Sequence, residues 1–176
     1  MKLSKRIWWI PVAAILFAGC GAYSFTGISI DYNVVKTLSV ANFFNDSGGG
    51  PPNMSQTFTE ELKEYFQRNS KLELVQQNGD LQFEGAIGGY SVRPQAIASS
   101  GSNTVSDQSS LMRLTILVEV VFTNTKSEED SFKRNFSFYA DYDPQTTTLN
   151  AVEGDLVEEI FDQIIFDIFQ ASVAQW

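Results

Sequence analysis

The feature that most constrains this chain is a short apolar run near its start, which ends at its only cysteine. The run extends from Ile7 to Phe17, and Ala18, Gly19 and Cys20 follow it. Three basic residues precede it: Lys2, Lys5 and Arg6. A run of this length is typical of a secretion signal and falls short of the ~20 residues that cross a bilayer. The pattern therefore predicts cleavage before Cys20 and lipidation of its thiol.

On this interpretation, residues 1–19 are a lipoprotein signal peptide that is removed, and residues 20–176 are a single domain anchored at Cys20. Two or more acyl chains hold such an anchor stably, because each buried CH₂ contributes roughly 0.8 kcal/mol. One position departs from the usual pattern: Phe17 stands where a branched aliphatic residue is common, with Leu16 one place earlier. Two alternatives are a plain signal peptide with a chance cysteine and an uncleaved signal anchor.

The charge of the chain limits its partners. Its 176 residues include 12 Lys and Arg against 21 Asp and Glu, which gives a net charge of −9. Removal of residues 1–19 leaves nine basic residues and a net charge near −12. Nucleic-acid binding needs basic patches, so no nucleic-acid partner is predicted. An acidic chain is also not attracted to anionic membrane surfaces, so membrane attachment would depend on the acyl chains at Cys20.

The pattern of apolar residues predicts one α+β domain. β-branched residues over 34–43 predict a first strand, and apolar residues at helical spacing predict a helix from about Ser55 to Arg68. A short strand over 72–75, a turn at residues 78–79 and a third strand from Leu81 to Pro94 follow. With the two strands and the helix described next, the prediction is a mixed four- to five-stranded sheet with two helices packed on one face. The first helix allows a parallel crossover.

Residues 111–123 and 131–142 predict the clearest hairpin, whose register follows from alternation. Three pairs share the buried face: Phe122 with Phe132, Val118 with Phe136 and Ile116 with Phe138. The other face carries nine polar or charged positions: Arg113, Thr115, Glu119, Thr123, Lys133, Asn135, Ser137, Tyr139 and Asp141. This register places Arg113 opposite Asp141 and predicts an ion pair between them.

A long amphipathic helix is predicted from about Asn150 to Ala174, with Asn150 and Glu153 forming a start like a capping box. Tertiary burial of its apolar face would hold it, since its acidic residues repel one another at a spacing of four. The final residue, Trp176, is expected to dock on the body of the domain.

Two glycine-containing segments need interpretation. Gly85, Gly88 and Gly89 inside the third strand predict a bulge, a bend or a close backbone approach. Residues 48–50 are all glycine, but no Gly-Lys-Ser/Thr follows them, which argues against a phosphate-binding loop. Residues 95–110 form a long polar loop, which is either a binding loop or a hairpin tip without function.

Little in the chain favours catalysis. Histidine is absent and the single thiol would be acylated, so the usual nucleophile–base pairs and zinc sites are missing. Asp141 and Asp143 flank Tyr142 and could bind calcium or a sugar, but a strand end followed by a turn is the simpler interpretation. We therefore predict no enzyme activity, no cofactor and no metal.

As a whole, the mature chain resembles the LptE-type lipopolysaccharide-assembly lipoproteins of the Bacteroidetes group. The resemblance lies in the order of segments that are not catalytic signatures: 20–27, 56–60, 79–83, 89–92, 113–116, 139–142 and 174–176. It implies a lipoprotein on the inner leaflet of the outer membrane that faces the periplasm. It also implies a helix-on-sheet fold that plugs the β-barrel of a partner, LptD, helps that barrel to assemble and contacts lipopolysaccharide. The absence of an acidic run after Cys20 agrees with the inner leaflet.

Three functional interpretations follow. The first is a barrel plug, with the polar hairpin face and the 95–110 loop as contacts. The second is direct contact with lipopolysaccharide phosphates through basic residues, whose alternative role is as solvated or paired surface cations. The candidates are Arg93, Arg113, Lys133 and Arg134. The third is a generic periplasm-facing binding lipoprotein, such as an accessory subunit of a glycan-uptake complex.

Overall fold

The computed structural model describes residues 30–95 and 111–173. The predicted signal peptide, the lipidation site at Cys20, nearly all of the 95–110 loop and the docking of Trp176 lie outside these ranges.

The described residues form a six-stranded mixed sheet and two helices. In chain order the elements are β1 (Thr37–Val40), β2 (Phe44–Asn45), α1 (Met54–Asn69), β3 (Glu73–Leu74), β4 (Leu81–Gln95), β5 (Leu111–Asn124), β6 (Phe132–Tyr142) and α2 (Leu149–Ser172). The strand order is β3-β1-β4-β5-β6, and β2 pairs with β4 beyond the end of β1. The α+β class is confirmed, with a slightly larger strand number than predicted because β2 is an additional strand of two residues.

The sheet is parallel at one side and antiparallel at the other. β1 pairs in parallel with β3 and with β4, so α1 provides the predicted parallel crossover. β4 with β5 and β5 with β6 are antiparallel. The segment from Val75 to Asp80 therefore crosses β1, and an added Cβ on Gly79 would lie 2.5 Å from the backbone nitrogen of Ser39. The turn predicted at residues 78–79 is part of this crossing.

Asp80 fastens the crossing to the rest of the sheet. Its carboxylate accepts hydrogen bonds from the amides of Lys36 (2.9 Å) and Thr37 (3.1 Å) and pairs with the Lys126 ammonium at 2.9 Å. The amide of Lys36, followed by Lys126, holds the pKa of Asp80 well below its usual range. One carboxylate therefore ties the start of β1 to the loop between β5 and β6.

The hairpin register is confirmed at each pair that alternation predicts. Phe122 lies opposite Phe132, Val118 opposite Phe136 and Ile116 opposite Phe138. The even-numbered positions of β5 from Leu114 to Phe122 are fully or almost fully buried against the helices. Large apolar side chains at every second position allow only one register to bury them all.

Glycines in β4 serve two of the predicted purposes. The register between β4 and β5 shifts between Ile87 and Gly89, which is the predicted bulge. At Gly85, an added Cβ would overlap the carbonyl oxygen of Glu119 and lie 2.7 Å from the Phe43 ring. Gly85 is therefore a position of close approach, where the ring of Phe43 occupies the space of a side chain.

Aromatic rings connect the helices to the sheet. Phe58 of α1 has no exposed surface and contacts Phe43 and Phe161 edge-on, with ring centroids 5.0 and 4.9 Å apart. Phe66 makes similar contacts with Phe83 and Phe169. These rings confirm the predicted apolar stripe of α1, and they make α1, α2 and the sheet share one core.

The predicted capping box of α2 is wrong. The N-cap is Thr148, and no side chain caps the helix start there. Glu153 instead accepts a 2.5 Å hydrogen bond from the hydroxyl of Tyr90. The donor lies on a strand 63 residues earlier in the chain. The local sequence around Glu153 therefore could not predict this hydrogen bond. Burial and this bond raise the pKa of Tyr90 above its usual value.

The glycine-rich loop packs on the same tyrosine. A Cβ on Gly49 or Gly50 would lie 2.8 or 3.1 Å from the Tyr90 ring, and Gly50 also has a φ of +83°. The loop is therefore a packing element, consistent with the sequence argument against a phosphate site.

No helix within the described ranges combines the length and apolarity needed to cross a bilayer.

Candidate functional site

The two helices cover one face of the sheet, and no element within residues 30–95 and 111–173 covers the other face of the long strands. We call this second surface the open face. It consists of Gln82, Glu84, Ala86, Ser91 and Arg93 of β4, Arg113, Thr115, Leu117, Glu119, Val121 and Thr123 of β5, and Lys133, Asn135, Ser137, Tyr139 and Asp141 of β6. Its side chains are half-buried or exposed, and they include charged, neutral polar and apolar residues.

A paired cation stands at one end of the open face. Arg113 donates two hydrogen bonds to Asp141, from Nε to Oδ1 and from Nη2 to Oδ2, both 2.7 Å. Its guanidinium also lies 3.5 Å from the centre of the Tyr139 ring. The bond to Asp141 raises the pKa of Arg113, and the same bond lowers the pKa of Asp141. The predicted ion pair is present, and a planar guanidinium is well suited to both contacts.

The four candidate cations do not form one cluster. Arg93 is exposed and lies directly opposite Arg113 in the β4–β5 register, so these two are neighbours on the open face. Lys133 lies opposite Val121, eight residues further along β5 and thus roughly 27 Å from Arg113. Arg134 projects to the helix-bearing side, 5.1 Å from the Phe132 ring centroid. Of these four, Arg93 and Arg113 are the two whose strand positions lie side by side on the open face.

An exposed aromatic residue lies beside the open face and was missed by the sequence reasoning. Phe44 of β2 is 68% exposed, although Phe43 beside it is buried. Phe44 lies opposite Ala86 and lines a cavity of about 270 Å³ with Gly85, Val121 and Lys133 among its neighbours. The signal was a pair of adjacent phenylalanines, because successive residues of an extended chain point to opposite sides and only one of the two can face the core.

A larger groove adjoins this cavity. Its volume is about 600 Å³, and it lies between the crossing segment and β4. Five amide side chains line it: Asn42, Gln76, Gln77, Asn78 and Gln82. Asn42 and Glu84 line both cavities, so the groove and the Phe44 cavity are adjacent. Single exposed amides in a sequence carry no signal of such a groove, because the crossing of β1 brings them together.

A group of carboxylates lies between the helices, away from the open face. Glu61 of α1 is half-buried, and its Oε2 is buried without a hydrogen-bond partner among the described residues. Burial, followed by the charges of Asp162, Glu158 and Glu64, raises the pKa of Glu61 to about 7. In the described part of the chain, no group of three His, Cys, Asp or Glu is placed to hold a metal ion.

Replacing Glu61 with glutamine is expected to stabilise the protein at neutral and higher pH. The carboxyl has a pKa near 7 in the folded state and 4.5 when unfolded, so the folded state binds more protons between these values. Stability of the native protein therefore falls as pH rises through this window and is level above it. After allowance for solvent screening, the gain of Glu61→Gln is about 1 kcal/mol above a pH of roughly 7.5 and near zero below the unfolded pKa. Urea unfolding at a series of pH values measures it.

The matched control is Glu60→Gln, a change at the exposed neighbouring position. It is expected to alter the free energy of unfolding by less than about 0.5 kcal/mol. Equal gains from Glu60→Gln and Glu61→Gln at alkaline pH would contradict the assignment of the destabilising charge to the buried carboxyl.

Solved structures share the fold at low sequence identity. Protein CT253 from Chlamydia trachomatis aligns with a TM-score of 0.52 and 10% identity, over 80% of this chain and 99% of that one. A minor lipoprotein from Acinetobacter baumannii aligns with a TM-score of 0.50 and 19% identity, over 80% of this chain and 94% of that one. Protein XCC0632 from Xanthomonas campestris aligns with a TM-score of 0.53 and 13% identity, over 81% of this chain and 85% of that one. These likenesses establish the fold only.

No curated protein matches this chain. A family model does match: LptE, described as lipopolysaccharide-assembly, aligns with residues 35–172. The match spans every strand and helix described above, and thus the whole sheet with its open face. The chain therefore belongs to the LptE family of lipopolysaccharide-assembly proteins.

Proposed function

We propose that this protein is a lipid-anchored partner of an LptD-type outer-membrane β-barrel, which it plugs and helps to assemble during lipopolysaccharide transport to the cell surface. The family match over residues 35–172 is the observation that carries the proposal. The chain would be held by acyl chains on Cys20 in the inner leaflet of the outer membrane, facing the periplasm. It would act by binding and not by catalysis.

The open face is the surface that we assign to the barrel. The interiors of large membrane barrels are polar, so a plug needs a polar surface that contains some apolar anchors. The open face combines charged side chains with Leu117, Val121 and Tyr139, and Phe44 lies at its margin. Interfaces of this type owe most of their affinity to a few large side chains surrounded by polar contacts. Phe44 and Tyr139 are exposed aromatic residues available for that role.

The proposal is tested by affinity capture of the tagged full chain from outer membranes. Mass spectrometry is expected to identify one large β-barrel protein at near-equal amount, and depletion of the chain is expected to lower the level of folded barrel. Capture of glycan-uptake components with lipopolysaccharide export intact would contradict the proposal and favour the accessory-subunit alternative.

The anchor at Cys20 has its own test. Replacing Cys20 with serine removes the only thiol, and the chain is too acidic to adhere to anionic lipid through charge. We expect the variant to lose acyl-chain labelling and to leave the outer-membrane fraction, either as soluble periplasmic protein or as uncleaved protein in the inner membrane. Ser24→Ala is the neighbouring control and should fractionate as the parent does. An unlabelled parent protein would refute the anchor.

Contact with lipopolysaccharide phosphate is assigned to Arg93 and to its neighbour in the sheet, Arg113. Arg93 is exposed, and Arg113 lies directly opposite it in the sheet. A phosphate accepts two hydrogen bonds from a guanidinium such as that of Arg93, whereas two donor nitrogens of Arg113 are already bonded to Asp141. Arg93→Ala is expected to weaken binding of purified lipopolysaccharide more than Lys133→Ala does. Equal losses of lipopolysaccharide binding in the two variants would mean that binding depends on total charge, which would contradict the assignment to Arg93.

The amide-lined groove supports a second candidate function, the accessory subunit for glycan uptake. Primary amides both donate and accept hydrogen bonds, which suits the hydroxyl groups of a sugar. A volume of about 600 Å³ is within the usual range of ligand sites. Calorimetric titration with oligosaccharides of known composition would measure such binding. Its absence, together with capture of the barrel, would leave only the first proposal.

A further inference from the structure

The outer edge of β6 is long, and no described strand pairs with it. The strand has 11 residues, from Phe132 to Tyr142, and its only partner in the described part of the chain is β5. A sheet edge of this length presents a row of backbone donors and acceptors to any strand that approaches it. Proteins usually shorten, bend or cover such an edge. An edge of this length is therefore a candidate site for pairing with another strand.

The order of residues in β6 is complementary to itself when reversed. Antiparallel pairing centred on Ser137 would bring five further pairs together: Phe136 with Phe138, Asn135 with Tyr139, Arg134 with Ala140, Lys133 with Asp141, and Phe132 with Tyr142. Two of these pairs join aromatic rings, and one joins opposite charges. Cross-strand pairs of both kinds stabilise antiparallel sheets.

The same charges oppose other arrangements. Parallel alignment of two β6 strands would place Lys133 beside Lys133 and Asp141 beside Asp141. A shift of two residues would move Lys133 from Asp141 to Tyr139 or to Asp143, and Asp143 lies beyond the strand end, where its carboxylate already accepts from the Gln145 amide at 2.8 Å. Arg113 occupies two acceptor sites of the Asp141 carboxylate, which has about four. Charge and register therefore favour one antiparallel alignment.

We propose that two copies of this protein pair through β6 in antiparallel register centred on Ser137, so that the two sheets become one across a twofold axis. A symmetric contact of this kind needs a self-complementary surface, which β6 provides. Edge pairing leaves the open faces of both copies uncovered and on the same side. The inference does not rest on the proposed function. It describes the chain outside a barrel, because a copy enclosed in a barrel lumen could not pair its edge with a second copy.

Cysteine cross-linking tests the register directly. The full chain carrying Cys20→Ser is purified with a second change, either Ser137→Cys or Asn135→Cys, at two exposed positions on the same face of β6. In the proposed register the two thiols introduced by Ser137→Cys meet across the axis at disulfide distance, because facing residues have Cα atoms about 4.5–5.5 Å apart. The two thiols introduced by Asn135→Cys are offset by four residues, or about 14 Å.

Oxidation is therefore expected to convert most of the Ser137→Cys protein into a covalent dimer and at least about tenfold less of the Asn135→Cys protein. Equal cross-linking of the two variants, or none in either, would overturn the register.

The charge pair across the axis gives a second readout. Lys133→Glu, made without any introduced cysteine, is expected to raise the dissociation constant of the dimer at least about tenfold in light-scattering measurements, because it places two like charges opposite each other. Lys71→Glu makes the same charge change at an exposed position outside β6 and is expected to change that constant less than about twofold. A parent chain that stays monomeric up to about 1 mM, on the order of the weakest specific affinities, would refute the dimer.

Discussion

Replacing Phe58 with alanine is expected to lower the free energy of unfolding by about 3–5 kcal/mol. The side chain is fully buried, and its ring bridges Phe43 at the sheet and Phe161 of α2. The change therefore removes apolar contact and leaves a cavity where α1, α2 and the sheet meet. A loss of this size is a large part of the roughly 5–15 kcal/mol that stabilises a typical domain. Denaturant unfolding monitored by circular dichroism measures it.

Phe44→Ala is the matched control, because it makes the same chemical change at a ring that is 68% exposed. It should alter stability by no more than about 0.5 kcal/mol. If Phe44 serves as an anchor for the barrel, this variant should nevertheless capture less of that partner. Equal losses of stability in Phe44→Ala and Phe58→Ala would contradict the placement of the core between helices and sheet.

Replacing Gly85 with alanine is expected to cost about 2–3 kcal/mol, and replacement with valine is expected to prevent folding. The added Cβ would overlap the carbonyl oxygen of Glu119 in the neighbouring strand and press on the Phe43 ring. The first of these neighbours is backbone, so relief requires β4 and β5 to separate. Thermal unfolding of the alanine variant should show a markedly lower midpoint than the parent.

Gly154→Ala provides a control of the opposite sign. Gly154 lies on the exposed side of α2, and an added Cβ there meets nothing within 4 Å. Alanine is the better helix former by about 0.8–1.0 kcal/mol, so this variant should be stabilised. A stabilised Gly85→Ala protein would show that the close approach of β4 and β5 is not present.

The β5–β6 hairpin could be predicted residue by residue because Leu114, Ile116, Val118, Val120 and Phe122 form an uninterrupted alternation. Any one-residue slip would expose all of them, which makes the register a local property of the sequence. The same holds for α1, whose apolar stripe repeats at helical spacing. The ion pair between Arg113 and Asp141 follows from the register alone.

Other features depend on contacts between distant parts of the chain. The predicted cap at Asn150 is wrong because the helix already begins at Leu149, and Glu153 bonds to Tyr90 of a distant strand. The raised pKa of Glu61 arises where two helices meet, so neither helix alone reveals it. β2 has two residues, too few to show alternation, and its position beyond the end of β1 exposes Phe44. The amide-lined groove likewise requires the crossing over β1.

Site-specific photo-cross-linking tests the central claim, that the open face of the sheet packs against an outer-membrane barrel. A photoreactive residue replaces Glu119 on the open face or Glu159 on α2, two exposed glutamates on opposite sides of the molecule. Irradiation of cells is expected to join the Glu119 variant, and not the Glu159 variant, to one large β-barrel protein. Cross-links from Glu159 alone, or from neither position while barrel assembly proceeds normally, would contradict the account.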